Sequence, residues 1–288
     1  MRTRLRAAEQ IALVVFGYIT LASVVSHLTA RDLGVVVALN AVTLSTLMVL
    51  NRNRQRGPWL AAAADLFPAL LLLVAYRESG LLITPDPTHH LDHIFIQWDR
   101  LLLNNLFVQT LLRAGAPWLQ RYLEFAYLLC YPLVPLGVAA VHYASERGTA
   151  SESDVPESHR AMDDFWTAVM LATLFCYAVY PLFPLTPPRL LFGDVPGPHV
   201  EPLLRRWNFW LLDHYSVNAC IFPSGHVAAV TAVALSVRKY APRLGALFLF
   251  LAASVTLATI YGRYHYTADA IAGALVGVSA YLVSKLFR

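Results

Sequence analysis

The stretch CIFPSGHVAAV, residues 220–230, begins a run of small apolar residues that is typical of a membrane helix. Proline and glycine seldom continue a helix, so the tetrapeptide PSGH at residues 223–226 indicates where the helix begins. A helix N-terminus exposes unpaired N–H groups and carries a partial positive charge. The helix is therefore predicted to present its first turn to water or to a polar partner at one membrane surface.

The whole chain has the composition of a multi-span membrane protein. Of its 288 residues, 57% are hydrophobic and 14% are charged, and the mean hydropathy is +0.52. The apolar runs are continuous and lack the alternation of a membrane β-barrel, so only helices are expected to cross. The first apolar run, from about Ile11, continues to membrane length and is not expected to be a cleaved signal peptide. The predicted fold class is an all-α, polytopic membrane helix bundle.

Eight segments approach the length of about 20 apolar residues that crosses roughly 30 Å of hydrocarbon. The predicted spans are 8–29, 33–50, 58–76, 119–143, 162–181, 222–238, 244–262 and 268–285. Between the third and fourth spans, leucines at helical spacing in residues 94–112 predict an amphipathic helix that lies in the membrane interface. Residues 203–215 predict a second interfacial helix, with two tryptophans suited to the headgroup layer.

Clusters of arginine and lysine near the span ends predict the orientation. With the N-terminus inside, the clusters at 2–6, 52–56, 147–160, 238–243 and 285–288 all fall on the cytoplasmic side. We therefore expect a multi-pass protein of the cell membrane with both termini cytoplasmic. The formal net charge of +4 is scattered over the loops and gives no indication of a nucleic-acid partner.

Counting the crossings brings three polar motifs to the outer face. They are PLFPLTPPRLLF at 181–192, PSGH at 223–226 and YGRYHYTAD at 261–269. His226 and His265 are separated by 39 positions, close to two spans. One helix going in and one coming back would place both histidines at a similar depth.

The PSGH tetrapeptide has the features of a phosphate site. Ser224 can cap the helix or contact a ligand, Gly225 lets an anion approach the backbone, and the helix dipole favours negative charge. His226 would then donate a proton to a leaving oxygen. The alternative is a serine N-cap followed by an unrelated histidine.

His265 and Asp269 are four residues apart and share one helical face if the last helix begins early enough. An aspartate bound to one ring nitrogen fixes the tautomer and leaves the other nitrogen free to attack. The alternative assigns Thr267 as an N-cap, with Asp269 favouring the helix dipole and His265 an interfacial residue.

Arg189 and Arg263 stand beside these motifs on the predicted outer face. The planar guanidinium matches two oxygens of a phosphate, and two prolines stiffen the chain before Arg189. Arg205 and Arg206 are interpreted instead as solvated or headgroup-contacting residues.

Together these motifs resemble the signature of the type-2 phosphatidic acid phosphatase superfamily, over residues 165–273. The resemblance implies a helical core without metal or cofactor, in which His265 attacks phosphorus and becomes phosphorylated. It further implies that Asp269 orients this histidine and that His226 is the general acid. The implied phosphate ligands are Ser224, Gly225, Arg189 and Arg263.

The chain departs from the usual signature at three positions. Leu182 stands where the first motif normally has a lysine, Leu190 where it has a proline, and Thr259 where the third motif has an arginine. The stretches PLTPPRLL at 184–191 and YHYTAD at 264–269 look more like the branch that contains inositol phosphorylceramide synthases. Members of that branch transfer a phosphorylated headgroup between lipids.

We expect a membrane lipid phosphatase or phosphotransferase whose partner is a lipid substrate, with an alcohol acceptor in the case of transfer. The resemblance divides the chain into an N-terminal region, 1–116, with three spans and the interfacial segment, and a catalytic core, 117–288. The alternatives are a phosphoinositol-type headgroup transferase and a relative that binds lipid phosphate without turnover. A different class is a channel or transporter with Asp65, Glu124 and His27 in its pathway.

Overall fold

A computed structural model describes residues 5–84, 90–103, 117–146, 157–191, 203–217 and 219–287 and confirms an all-α bundle. The helices of these residues are α1 Ala7–Val25, α2 Ala30–Asn53, α3 Pro58–Leu81, α4 His90–Leu103, α5 Pro117–Leu128, α6 Leu133–Glu146, α7 Glu157–Val179, α8 Pro188–Leu191, α9 Leu203–Tyr215, α10 Gly225–Tyr240, α11 Pro242–Tyr261 and α12 Thr267–Ser284. Two short strands, β1 Pro184–Leu185 and β2 Cys220–Ile221, pair antiparallel.

Within the described part of the chain, six helices are long and apolar enough to cross a membrane. These candidate spans are Ala7–Val25, Ala30–Arg56, Pro58–Leu81, His159–Leu182, Pro242–Tyr261 and Thr267–Phe287. The α5–α6 pair makes a seventh if it is counted as one broken span. The remaining predicted segment, 222–238, folds as α10, which has 16 residues and is shorter than these candidates.

The predicted fourth span, 119–143, is not one continuous helix. It bends by 70° between α5 and α6, at a turn that contains Pro132. Proline lacks the N–H that would continue the helical hydrogen bonds, and it disfavours helical geometry in the residue before it. The bend brings Tyr127 and Tyr131 to the same end of the bundle as the start of α10.

Both predicted amphipathic segments contain helices. The first is α4, and its predicted continuation, 104–112, lies outside the described residues. The second is α9, with the predicted bounds 203–215. Their depth relative to a membrane stays a prediction.

α7 forms the centre of the bundle, and it packs against α1, α3, α6, α10 and α12. Its largest buried side chains are Met162, Phe165, Trp166, Met170 and Leu174. Because α1 and α3 pack directly on α7, the first helices extend the same hydrophobic core. The division of the chain at residue 116 stays a prediction.

α10 and α12 cross at very short range because two glycines of α12 face the backbone of α10. A Cβ at Gly273 would lie 2.6 Å from the carbonyl oxygen of Ser224, and one at Gly277 would lie 2.7 Å from that of Ala228. The N–H of Ser224 donates to the carbonyl oxygen of Asp269 at 3.3 Å. Small residues permit such contact between membrane helices, and here they hold the first turns of both helices together.

Ion pairs lie at the end of the bundle opposite the first turns of α10 and α12. Arg6 and Arg54 both bind the carboxylate of Asp65, at 3.1 and 2.6 Å. Lys239, at the far end of α10, pairs with Asp164. Ser224 and Lys239 mark opposite ends of α10, so the polar motifs and this ionic cluster are separated by the length of that helix.

The close crossing predicts a strict size limit at residue 277. We expect Gly277→Ala to lower the free energy of unfolding by about 1–3 kcal/mol, because the new methyl group overpacks the interface. Gly17→Ala is the matched control, since nothing lies within 4 Å of a Cβ there and alanine is the better helix former by about 1 kcal/mol. Thermal unfolding of both variants in one detergent measures the difference. Equal midpoints for the two variants would contradict the close packing.

Candidate active site

The centre of the candidate active site is the pair His265 and Asp269. Nδ1 of His265 contacts Oδ2 of Asp269, and the residues are 7% and 0% exposed. α12 begins at Thr267, so His265 precedes the helix and still reaches Asp269 in the first turn. The predicted pairing of the two residues is therefore present, although only one of them is helical.

A tight turn after α11 places His265. Arg263 has a φ of 59°, in the left-handed region that few residues other than glycine adopt. The N–H groups of Tyr264 and His265 both donate to the carbonyl oxygen of Thr259, at 2.9 and 3.1 Å. This turn reverses the chain within the few residues between α11 and α12 and directs the imidazole towards α10.

His226 is the second residue of α10 and faces His265. The two ring centroids are 5.8 Å apart. The ring of His226 also contacts Tyr127 and Tyr131, with centroid distances of 6.1 and 5.8 Å. Because Nδ1 of His265 is bound by Asp269, Nε2 is the nitrogen left for other chemistry. The half-buried ring of His226 is the second imidazole of the site.

Ser224 and Gly225 have structural roles at the start of α10. Ser224 is the N-cap, and its side-chain oxygen accepts the N–H of Val227 at 3.4 Å. A Cβ at Gly225 would lie 2.3 Å from the hydroxyl oxygen of Tyr180, so packing alone requires glycine there. The capping alternative for Ser224 is thus present in the structure, and phosphate contact by these two residues stays a prediction.

Arg189 and Arg263 meet although they are far apart in sequence. The N–H of Arg189 donates to the carbonyl oxygen of Arg263 at 3.1 Å, and both residues are half-buried. The β1–β2 pairing joins Leu185 to Cys220 and so ties the first motif to the second. All seven predicted site residues therefore lie on segments that contact one another.

Cys220 is a site neighbour that the sequence interpretation missed. Its sulfur lies 3.7 Å from Nδ1 of His265 and 3.5 Å from Oδ2 of Asp269. The three side chains are buried, and their ligand atoms are close enough together to hold a metal ion. The position of Cys220, four residues before Ser224, was the available signal. The expected independence of metal stays a prediction.

A buried polar cluster supports the turn that carries His265. Glu124 pairs with Arg205 at 2.6 Å and accepts hydrogen bonds from Asn208 and from the hydroxyl of Tyr264. Tyr264 also stacks on Tyr127, with ring centroids 3.9 Å apart. Burial, with a smaller contribution from Glu124, raises the pKa of the Tyr264 phenol, so the phenol stays a donor.

The interpretation of Arg205 as a solvated or headgroup-contacting residue was wrong. Arg205 is 9% exposed and ion-paired, whereas Arg206 is exposed as expected. The buried side of α9 carries Arg205, Asn208 and Leu212, at helical spacing. Buried carboxylates need partners, and the partner of Glu124 comes from this face.

Two aspartates of α4 reach the candidate site and were also missed. Asp92 accepts the N–H and the hydroxyl of Thr186, at 2.7 and 2.6 Å. Asp99 accepts the N–H of Thr267 at 2.7 Å. Burial raises the pKa of the Asp99 carboxyl to about 6, and the hydrogen bond from the N–H of Thr267 offsets part of that rise. The sequence signal was their spacing of seven residues, which places both on one helical face.

A family model described as the PAP2 superfamily matches residues 93–283, which include all seven predicted site residues. The match covers more than half of the chain, and the protein belongs to the PAP2 superfamily. Members are generally phosphatases or phosphotransferases, and membership supports a phosphatase-type function on lipid phosphates. No curated protein and no solved structure matches the chain.

The buried Arg205–Glu124 pair predicts a large difference between two neighbouring arginines. We expect Arg205→Ala to reduce the free energy of unfolding by about 3–5 kcal/mol, because it leaves a buried carboxylate without its ion-pair partner. Arg206→Ala is the control, and a change within about 0.5 kcal/mol is expected for an exposed residue. Thermal unfolding in detergent compares the two. Similar midpoints would show that the pair does not hold the turn in place.

Proposed function

We propose that the protein is an integral-membrane lipid phosphatase or phosphotransferase that acts through a phosphohistidine at His265, without metal. The observation that carries the proposal is the contact of Asp269 with Nδ1 of His265, with the ring of His226 5.8 Å away. This arrangement combines a nucleophile, a residue that orients it and a second imidazole for proton transfer.

The proposed reaction has two half-reactions. Nε2 of His265 attacks the phosphorus of a lipid phosphate, an N–P bond forms, and the bond from phosphorus to the lipid oxygen breaks. His226 gives its proton to that departing oxygen. In the second half-reaction His226 removes a proton from water or from an alcohol, whose oxygen attacks phosphorus and releases His265.

Phosphate binding is assigned to Arg189, Arg263 and the N-terminus of α10. The backbone contact between the two arginines supports this assignment, because it joins Arg189 to a residue only two positions before His265. A helix N-terminus and two guanidinium groups supply the positive charge that a phosphoryl group requires. Leu182 and Thr259 supply no positive charge at the two positions where the superfamily usually has a lysine and an arginine.

The proposed location is the outer face of the cell membrane, with a lipid that enters sideways from the outer leaflet. The basic clusters of the sequence support this orientation. So does the position of the Arg6–Arg54–Asp65 ion pairs at the end of the bundle opposite the candidate site.

The channel or transporter alternative rested on Asp65, Glu124 and His27. Asp65 binds Arg6 and Arg54, Glu124 binds Arg205, and Nδ1 of His27 lies 3.3 Å from the hydroxyl oxygen of Thr84. Local partners thus account for each of the three residues.

Hydrolysis and headgroup transfer share the first half-reaction, and the products distinguish them.

The test is turnover by detergent-solubilised protein. Candidate substrates are phosphatidate, phosphatidylglycerol phosphate, polyprenyl diphosphate and phosphatidylinositol, each with and without an alcohol acceptor and in excess chelator. Mass spectrometry identifies the products. We expect His265→Ala to lose at least about 1,000-fold in kcat because the nucleophile is gone. His226→Ala is expected to lose about 100- to 10,000-fold because no group protonates the departing oxygen.

His214→Ala is the matched control, since His214 is exposed on α9 and outside the candidate site. It should keep wild-type turnover. Full activity in His265→Ala would refute the assignment of the nucleophile. Loss of activity in chelator, with recovery on adding a metal, would refute the metal-independent reaction.

A further inference from the structure

One face of α4 contacts the first and third motif segments of the candidate site and Phe222, the residue that precedes the PSGH motif. Asp92, Phe95 and Asp99 are 2%, 4% and 4% exposed, and they follow one another at helical spacing. Phe95 lies between the two aspartates and packs on Phe222 and Tyr266, with ring centroids 5.1 and 5.4 Å apart. An interfacial helix needs no buried carboxylates for membrane binding. The two buried aspartates therefore indicate that this face of α4 has a role other than membrane binding.

Asp99 acts as the N-terminal cap of another helix. Tyr266, the N-cap residue of α12, makes no side-chain capping hydrogen bond. The carboxylate of Asp99 instead accepts the N–H of Thr267, the first residue of that helix, at 2.7 Å. Because Asp269 lies in the same turn, a shift of Thr267 also moves the carboxylate that holds His265.

Asp92 holds the segment that precedes Arg189. Both of its carboxylate oxygens bind Thr186, one through the N–H and one through the hydroxyl. The hydroxyl of Tyr266 donates to the carbonyl oxygen of Thr186 at 3.0 Å and links this segment to the start of α12. Thr186 is separated from Arg189 by two prolines, which transmit its position stiffly.

We propose that α4 is a positioning element of the active site, in which Asp99 aligns the His265–Asp269 pair and Asp92 aligns Arg189. This inference rests on the proposed function, because it assigns the two carboxylates to different steps of that reaction. Asp99 supports the nucleophile and therefore affects the chemical step. Asp92 supports a phosphate-binding arginine and therefore affects substrate affinity.

Steady-state kinetics with dioleoyl phosphatidate in detergent micelles tests this division. Asp99→Ala should lower kcat by about 10- to 100-fold, the loss expected when reacting groups are misplaced by about 1 Å, and leave KM nearly unchanged. Asp99→Asn keeps an acceptor for Thr267 and should recover most of kcat. Asp92→Ala should raise KM by about 10-fold and leave kcat nearly unchanged, the pattern of lost ground-state binding.

Thr267→Pro tests the same hydrogen bond from the donor side. Proline is favoured at the first position of a helix and has no N–H, and Tyr266 already has the extended backbone that precedes a proline. This variant should lower kcat as Asp99→Ala does, and the double variant should lose no more than either single one. His93→Ala and Arg100→Ala, both exposed on α4, are the controls and should match the wild type.

Amide hydrogen exchange gives a readout that needs no substrate. Asp99→Ala should speed exchange at the start of α12, and Asp92→Ala should speed exchange at Thr186. Wild-type kcat and exchange in Asp99→Ala would overturn the proposal. An equal change of the same kinetic parameter in both aspartate variants would also overturn it, because α4 would then be a general support. If either result is found while His265→Ala still loses activity, the positioning role of α4 is refuted and the proposed function is not.

Discussion

The close crossing of α10 and α12 is the constraint on which the site depends. Gly273 and Gly277 bring the two backbones into contact, and the N–H of Ser224 binds the carbonyl oxygen of Asp269 at the mouth of the crossing. His226 lies two residues after Ser224 on α10, and Asp269 holds His265 from α12. The 5.8 Å separation of the two imidazoles is therefore set by backbone packing. A larger residue at either glycine would separate the helices and the histidines together.

Carboxylates of the described residues bind partners at both ends of the bundle, because a charged group in a low-dielectric surrounding needs one. At one end Arg6 and Arg54 share Asp65. At the other, Glu124 and Asp99 bind groups on the segment from Tyr264 to Thr267. The turn that carries His265 is thus fixed from two sides by carboxylates of other helices. Such fixation suits a reaction in which a nucleophile must meet phosphorus at a defined distance.

Hydrophobicity predicted the helical fold, and crossing parity predicted that His226 and His265 lie close together. Apolar runs of membrane length must be helical, and His226 and His265 had to reach a similar depth if two spans separate them. The pairing of His265 with Asp269 followed from residues close in sequence. The match to the PAP2 superfamily confirms the resemblance that these motifs suggested.

The features that the sequence did not predict depend on contacts between distant residues. The exception is the break of 119–143, a local effect of Pro132 within a run that is otherwise apolar enough to span. Arg205 was assigned to solvent because its partner, Glu124, lies on another helix. The contacts of Cys220 with His265, of Asp92 with Thr186 and of Asp99 with Thr267 could not be predicted from spacing alone. The paired residues are 45, 94 and 168 positions apart.

The central claim is that His265 carries the phosphoryl group between the two half-reactions. The most direct measurement uses lipid phosphate labelled in its phosphoryl group, rapid quenching and mapping of the labelled peptide. The account predicts an acid-labile, base-stable label on His265 of the wild-type protein and no label on the His265→Ala variant. A label on Cys220, whose sulfur lies 3.7 Å from the imidazole, or product release without any labelled protein, would contradict it.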